Sequence, residues 1–315
     1  MTDLAQWLAA QTDNDALAGA IVSMAAAGVE IAGVLREAAI RGQIGLVGAV
    51  NVQGEAQKTL DLISNDIVLN HLAENPHIGI LISEEMDEAV EMANQGSLIV
   101  ATDPLDGSSN LDVNVTVGTI FSVLKLAGGL LQPGAAQLAA GYVAYGPATN
   151  LVVRVAGPVA VFTLDEAGQW VLTTPAATVP EATGEFAINT ARERFWDAAT
   201  RGYVSESVAG EAGPAGKRYN MRWVGSMVAD IHRILMRGGI FLYPLDSETA
   251  AKGGRLRLLY EANPMAFLVE GAGGRSTTGR QGILTVEPTS IHQRVPVILG
   301  SAEEVRRVEG WYARG

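Results

Sequence analysis

Acidic side chains come directly after three strand-like runs of this 315-residue sequence: Glu84 and Glu85 after 78–82, Asp103 and Asp106 after 97–101, and Glu261 after 256–260. Side chains at strand ends meet in one crevice when the strands are neighbours in a sheet. Carboxylates gathered there repel one another, and a cation that prefers oxygen ligands, such as Mg²⁺, offsets the repulsion. The pattern therefore predicts a metal site. Any one of these positions taken alone also fits a solvated loop or a helix cap.

The segment 103–110, Asp-Pro-Leu-Asp-Gly-Ser-Ser-Asn, combines two carboxylates with a turn that could bind an anion. Pro104 stiffens the chain between the carboxylates, and Gly107 lets the backbone approach a ligand closely. The amides of Ser108 and Ser109 can donate to an anion, as a loop or helix start does. Metal ligands beside phosphate-binding amides are the parts that phosphate chemistry needs.

Arginines that could bind phosphate lie in the second half of the chain. Arg222 precedes a predicted helix start at Ser226. Arg255 and Arg257 alternate with leucines, and a period of two places both on one strand face, towards Glu261. An ordinary exposed strand face is the alternative interpretation. The four histidines have no paired metal-ligand spacing, and we interpret them as structural.

Helices and short strands must position these side chains. Apolar residues at 3.6-residue spacing predict a long helix over 17–35 and a second over 60–72, with Glu55 and Asp61 near and within the second. In isolation, these two acids are typical of a helix start and a solvated face. Turn-separated apolar runs over 139–173 predict an antiparallel meander. We place a domain boundary within 175–184, because alternating strands and helices beyond it predict a layered α/β half.

Composition excludes several classes of function. The 34 acidic and 22 basic residues give a formal net charge of −12, which disfavours non-specific nucleic-acid binding. The absence of cysteine excludes disulfides, thiolate catalysis and cysteine-ligated metals. The apolar stretch 16–29 is shorter than a membrane span needs, and no signal-peptide pattern opens the chain. We expect a soluble protein.

The sequence resembles the class I fructose-1,6-bisphosphatases through motifs that occur in family order over nearly the whole chain: 54–61, 64–66, 83–85, 103–110, 117–121, 224–230, 239–244 and 256–265. The Asp-Pro-x-Asp-Gly element alone is shared with the wider lithium-sensitive phosphatase superfamily, which includes inositol monophosphatases. The long motifs of the second half are more specific. The resemblance implies Mg²⁺-dependent hydrolysis of the 1-phosphate of fructose 1,6-bisphosphate, in gluconeogenesis or the Calvin cycle.

The resemblance also implies an architecture and an assembly. The fold is an α/β, five-layer α-β-α-β-α sandwich with a catalytic domain over 1–178 and a sugar-phosphate-binding domain over 179–315. It further implies a cytoplasmic homotetramer with two or three Mg²⁺ ions per subunit, for which Mn²⁺ is expected to substitute. No nucleic acid or membrane takes part.

Residue roles follow from the resemblance, motif by motif. The metal ligands are Glu84, Asp103, the Leu105 carbonyl, Asp106 and Glu261. The water-activating pair is Asp61 and Glu85, with Glu55 on a mobile catalytic loop. The cleaved phosphate is held beside Asp106 by Gly107, Ser108 and Ser109. The retained phosphate and the sugar are held by Asn189, Arg222, Tyr243 and Arg255, with Arg222 reaching in from a neighbouring subunit.

Three departures from the family pattern concern the substrate. Trp223 and Arg192 stand where tyrosines are usual in the family, and Arg255 stands where a lysine is usual. The arginine keeps the positive charge of the lysine but presents more hydrogen-bond donors in a wider, planar arrangement. Sedoheptulose 1,7-bisphosphate, alone or alongside the fructose ester, is therefore the alternative substrate. An inositol-monophosphatase-type enzyme and a non-catalytic sugar-phosphate-binding protein are more distant alternatives. The segment 14–18 and Ser97-Leu98 lack the animal-type AMP-binding pattern, so we expect weak or absent AMP inhibition.

Overall fold

The computed structural model describes residues 2–43, 46–50 and 56–314, with side chains described for 2–43 and 59–314. The α-helices are α1 (Leu4–Gln11), α2 (Asp15–Glu37), α3 (Thr59–Ala73), α4 (Ala198–Ala209), α5 (Met227–Arg237), α6 (Asn263–Gly271) and α7 (Ala302–Tyr312). The two helices predicted from 3.6-residue spacing in the first half correspond to α2 and α3. Both predictions are confirmed.

The first half forms an eight-stranded sheet. Its strands are β3 (Ile78–Ser83), β4 (Val90–Glu91), β5 (Leu98–Asp106), β6 (Val117–Lys125), β7 (Ala139–Tyr145), β8 (Thr149–Arg154), β9 (Val159–Leu164) and β10 (Trp170–Ala177). Their spatial order is β10-β9-β8-β7-β6-β5-β3-β4. β3 and β5 run parallel. β7 to β10 form the predicted antiparallel meander, and β6 extends it as a further antiparallel strand. A separate antiparallel pair joins β1 (Leu46–Val50) and β2 (Ala56–Lys58).

The second half forms a five-stranded sheet in the order β12-β11-β13-β17-β15. Its strands are β11 (Glu185–Ala187), β12 (Asn220–Met221), β13 (Ile240–Tyr243), β15 (Arg275–Thr277) and β17 (Val297–Gly300). The short strands β14 (Leu256–Arg257) and β16 (Arg294–Val295) pair with each other. Because Ile240 and Leu242 face one core and Phe241 the other, both faces of this sheet are covered.

Among the described residues, three of the four apolar clusters lie between the five layers. The first joins α1, α2 and α3 to one face of the large sheet, with Ile21 and Met24 packed in the same cluster as Phe121. The second places α5 and α6 between the two sheets. The third covers the outer face of the small sheet with α4 and α7. The α-β-α-β-α sandwich is confirmed.

Helix α2 has 23 residues and is long and apolar enough to cross a bilayer by length and composition alone. Its apolar face is instead buried against the large sheet. Gly28 makes this approach possible, since a Cβ there would lie 2.8 Å from Cγ2 of Val143. The helix is therefore a core element of the sandwich.

Candidate active site

The acidic motif 103–106 lies inside a strand, whereas the sequence pattern placed it after one. β5 continues to Asp106, and its pairing with β6 shifts between Asp103 and Asp106, where three steps along β5 oppose two along β6. Pro104 within this stretch cannot donate to a ladder, so a bulge accommodates it. The bulge gives the two carboxylates their direction while the strand keeps them buried.

Asp103, Asp106 and Glu261 lie together, with one carboxylate oxygen from each within 4.8 Å of the others. All three side chains are buried. The strand predicted before Glu261 is wrong beyond Arg257, because residues Leu258–Ala262 form a π-helical turn that leads into α6. Such turns often occur at functional sites. Here it brings a second-half carboxylate to the first-half sheet.

Burial raises the pKa of Asp103 well above its usual range, and repulsion from Glu84, Asp106 and Glu261 raises it further. Burial likewise raises the pKa of Glu261 well above its usual range, with repulsion from Glu84 as the next cause. The pKa of Asp106 is raised by burial against opposing hydrogen bonds. A cluster that disfavours its own ionisation has the electrostatic character of a cation site.

The start of α5 orients Asp106. The Ser226 hydroxyl donates to Asp106 Oδ2 at 2.9 Å, and the Val228 N–H donates to the same oxygen at 2.8 Å. Gly107 lies against this contact with φ +76°, and a Cβ there would meet Ser226 Cβ at 2.6 Å. The second-half helix therefore fixes the direction of a first-half carboxylate.

Arg257 connects two acidic residues of the site. Its buried guanidinium lies 3.2 Å from Glu84, and its backbone N–H donates to Glu261 Oε2 at 2.5 Å. Arg255, predicted to share its strand face, is exposed instead. The alternation of Arg255 and Arg257 with leucines was the sequence pattern that predicted an arginine near Glu261. Nothing in the sequence distinguished the buried arginine from the exposed one.

Asp61 and Glu85 come from α3 and from the loop after β3. Asp61 is buried in the first turn of α3. The Ser83 hydroxyl donates to Asn65 Oδ1 on α3 at 2.7 Å and accepts from the Glu85 N–H at 3.3 Å. α3 is thus hydrogen-bonded to the strand end that leads into Glu84 and Glu85. Glu55 lies outside the residues that the structure describes.

The backbone after the bulge turns sharply at Gly107. Ser108 and Ser109 begin a short 3₁₀ helix over Ser108–Val113, with Gly107 as its left-handed N-cap. The Leu105 N–H donates to Asp103 Oδ1 at 3.0 Å, which fixes the peptide between the two aspartates. The first amides of this turn therefore follow directly after the carboxylate cluster.

A small cavity in the second half is lined by Asn189, Arg192, Trp223 and Tyr243, among other residues. Trp223 stacks on Phe241 with ring centroids 5.6 Å apart and packs edge-on against Tyr243. The Arg255 guanidinium carbon lies 5.9 Å from the centroid of the Tyr243 ring. The structure therefore brings together Asn189, Tyr243 and Arg255.

Arg192 does not offer a free charge to this cavity. Its guanidinium pairs with Asp246 at 2.6 Å and with Glu248 at 2.8 Å. The carboxylates of Asp246 and Glu248, which are distant from Arg192 in sequence, neutralise its guanidinium charge.

Arg222 lies outside this cavity. Its side chain is 54 % exposed, and Nε is 3.9 Å from Glu185. Within one chain, the structure does not bring it to Asn189 and Tyr243. An exposed guanidinium at this position is available to a neighbouring molecule.

The clustered donors fit a hard divalent cation. They are carboxylate oxygens in a buried site, and their pKa values are raised by burial and, for Asp103 and Glu261, by mutual repulsion. Mg²⁺ prefers such ligands. Sequence reasoning missed Ser226 and Val228 as hydrogen-bond partners of Asp106, because only the fold brings the start of α5 to β5.

Known protein families and relatives match nearly the whole chain. The family model described as "Fructose-1-6-bisphosphatase, N-terminal domain" matches residues 4–175, and the one for the C-terminal domain matches 179–313. The chain is 47 % identical over 325 residues to "Fructose-1,6-bisphosphatase class 1" of Methylobacillus flagellatus, covering 99 % of this chain and 98 % of the relative. It is 50 % identical over 297 residues to that of Neisseria meningitidis serogroup A, covering 92 % of each.

Two solved structures are also similar. The Leishmania major fructose-1,6-bisphosphatase in holo form has a TM-score of 0.94 at 33 % identity, and its apo form has a TM-score of 0.88 at 32 % identity. Each comparison covers 99 % of both chains.

Proposed function

The chain belongs to the class 1 fructose-1,6-bisphosphatase family, and from that membership we propose that it releases the 1-phosphate of fructose 1,6-bisphosphate, leaving fructose 6-phosphate. The observation that carries the proposal is the buried cluster of Asp103, Asp106 and Glu261. Asp106 of this cluster directly precedes the turn of Gly107, Ser108 and Ser109. A cation site beside backbone donors is suited to a phosphate monoester, whose uncatalysed hydrolysis is extremely slow.

Residues Glu84, Asp103, Asp106, Glu261 and the Leu105 carbonyl would hold two or three Mg²⁺ ions, with Mn²⁺ able to substitute. When bound, these ions supply Lewis-acid stabilisation of the charge that develops on the phosphoryl group. Arg257 neutralises part of the carboxylate charge at Glu84, and Ser226 keeps one oxygen of Asp106 engaged. These contacts preorganise the site.

The remaining residues position the substrate and move a proton. Asp61 and Glu85 accept the proton of the attacking water, directly or through a second water, and Glu55 assists them. Amides of Gly107, Ser108 and Ser109 hold the phosphoryl oxygens in line for attack. Asn189, Tyr243 and Arg255 hold the second phosphate and the sugar, and this remote binding aligns the reacting phosphate.

Phosphate release and product identity test this function. In the presence of Mg²⁺ we expect fructose 6-phosphate and one phosphate from fructose 1,6-bisphosphate, and no turnover in excess EDTA. Sedoheptulose 1,7-bisphosphate and inositol 1-phosphate are assayed in parallel. Faster turnover of the monophosphate than of either bisphosphate, or turnover independent of metal, would contradict the proposal.

We further propose a homotetramer in which Arg222 binds the retained phosphate of a neighbouring subunit. Its 54 % exposure supports this, since a guanidinium that bound substrate within its own chain would face the cavity of Tyr243. A cytoplasmic location, the division into domains 1–178 and 179–315, and weak or absent AMP inhibition belong to the same proposal.

Mixed oligomers test the position of Arg222. Arg222→Ala should raise KM for the bisphosphate by about 10- to 100-fold, because a hydrogen bond to a charged group contributes about 1.5–3 kcal/mol. Co-refolding Arg222→Ala with Asp103→Asn subunits should restore activity above the sum of the two, since one subunit keeps the metal site and its neighbour keeps the arginine.

Arg237→Ala is the matched control, because Arg237 is a surface arginine that also pairs with Glu185, at 3.1 Å. It should leave KM unchanged. No recovery of activity in hybrids of demonstrated mixed composition would mean that Arg222 serves its own chain or no substrate at all.

A further inference from the structure

His292 joins the two segments that carry acidic residues of the site. Its Nδ1 lies 2.8 Å from the Tyr260 hydroxyl, and its Nε2 lies 3.2 Å from the Asp87 carbonyl oxygen. Tyr260 directly precedes Glu261, and Asp87 follows Glu84 by three positions. One imidazole ring therefore spans from the loop after β3 to the π-helical turn before α6.

The hydrogen-bond partners assign the tautomer. A carbonyl oxygen can only accept, so Nε2 of His292 carries the proton and donates to Asp87. In this tautomer, Nδ1 accepts from the Tyr260 hydroxyl. The bridge consists of hydrogen bonds, whereas Arg257 contacts Glu84 through an ion pair.

Packing makes the bridge rigid. Tyr260 is fully buried in an apolar cluster with Ile82 of β3 and Leu124 of β6. Its ring meets the His292 ring edge-on, with centroids 5.9 Å apart. Ile291, the residue before His292, packs against the same cluster. Movement of the ring is therefore coupled to movement of both segments.

We propose that His292 is a positioning residue that sets the spacing between the Glu84 loop and the turn of Glu261, and thereby strengthens divalent-cation binding. It acts through Tyr260 and Asp87. The inference rests on the proposed function for the identity of the site. Outer partners that orient metal ligands typically change metal affinity by about 10- to 100-fold.

Calorimetric titration of the metal-free protein with Mn²⁺, in the absence of substrate, measures the predicted effect. His292→Phe keeps an aromatic ring but removes the hydrogen bonds to Tyr260 and Asp87. Tyr260→Phe removes only the hydroxyl and keeps its ring in the apolar cluster. We expect each to weaken Mn²⁺ binding by about tenfold, with kcat at saturating metal within about threefold of wild type.

The double variant tests whether the two substitutions break the same bridge or weaken Mn²⁺ binding in two unrelated ways. Because either substitution breaks the link between Tyr260 and His292, the double variant should bind Mn²⁺ no more weakly than His292→Phe. His71→Phe is the matched control. His71 lies on α3 and joins Glu30 of α2 at 2.8 Å, remote from the carboxylates, so its loss should leave Mn²⁺ affinity unchanged.

Melting temperature in EDTA distinguishes positioning from simple cross-linking. A lower melting temperature with Mn²⁺ affinity within twofold of wild type would overturn the proposal. Should His292→Phe fail to fold, unchanged affinity in Tyr260→Phe overturns it equally. A protein that binds Mn²⁺ with this His292 dependence but hydrolyses no sugar bisphosphate would refute the proposed function and leave this inference standing.

Discussion

Replacing Asp103 by Asn will abolish metal-dependent turnover and at the same time stabilise the metal-free protein. The two effects have one cause. Asp103 is buried, and its pKa is raised by burial and by the negative charges of Glu84, Asp106 and Glu261. A bound cation is coordinated by the Asp103 carboxylate. In the metal-free protein, the same buried negative charge only lowers the stability of the fold.

The activity loss should be about 10³-fold or more, since a Lewis-acid metal contributes several kcal/mol to the transition state. The melting temperature in EDTA should rise. The Asn amide N–H can donate to Glu84 in place of the O–H that a protonated Asp103 donates. Phosphate release with Mg²⁺ and thermal unfolding in EDTA measure the two effects.

The pH dependence of the stabilisation has a defined sign. The folded-state pKa of Asp103 lies above the unfolded value of 3.8, so the folded protein binds this proton more tightly. Metal-free wild type therefore loses stability as the pH rises above that value, and Asp103→Asn should lose less. Asp13→Asn, at an exposed position, is the control. Equal stability of wild type and Asp103→Asn at pH 8 in EDTA would contradict the repulsion argument.

Replacing Gly107 by Ala will reduce both stability and turnover. The left-handed φ of +76° costs an alanine about 1–2 kcal/mol. The added Cβ would also lie 2.6 Å from Ser226 Cβ and 2.7 Å from Ser226 Oγ, so Ser226 must move. Overpacking of this kind costs about 1–3 kcal/mol more. Because Ser226 donates to Asp106, the shift also misdirects a carboxylate.

A misplaced catalytic group can cost about 100-fold in rate, and we expect a loss of that order in kcat. Gly168→Ala provides the matched control. Gly168 has φ +78° with nothing within 4 Å of an added Cβ, so it bears the backbone cost without the clash. Unfolding of the two variants under one condition isolates the clash. Equal destabilisation with full activity in Gly107→Ala would refute the proposed coupling through Ser226.

Much of this molecule could be predicted from local sequence. The 3.6-residue spacing of α2 and α3 and the meander of β7 to β10 are repeated patterns that lie within one stretch of chain. The motif 103–110 likewise supplies two carboxylates and an anion-binding turn within eight residues. The family resemblance followed from such motifs. Domain boundaries and residue roles stay predictions.

The sequence by itself determined which side chains are available for chemistry and in what local order: the acids after β3, those around Pro104, and Glu261. Only the tertiary structure decided that Asp103 and Asp106 lie within a bulged strand, that a π-helical turn delivers Glu261, that Arg257 is buried while Arg255 is exposed, and that Asp246 and Glu248 match the charge of Arg192. The reason is physical. Hydrogen bonds and ion pairs form between groups that are close in space. Here Arg192 and Asp246 lie 54 residues apart, and Asp106 and Ser226 lie 120 residues apart, so no short window of sequence contains both members of such a pair.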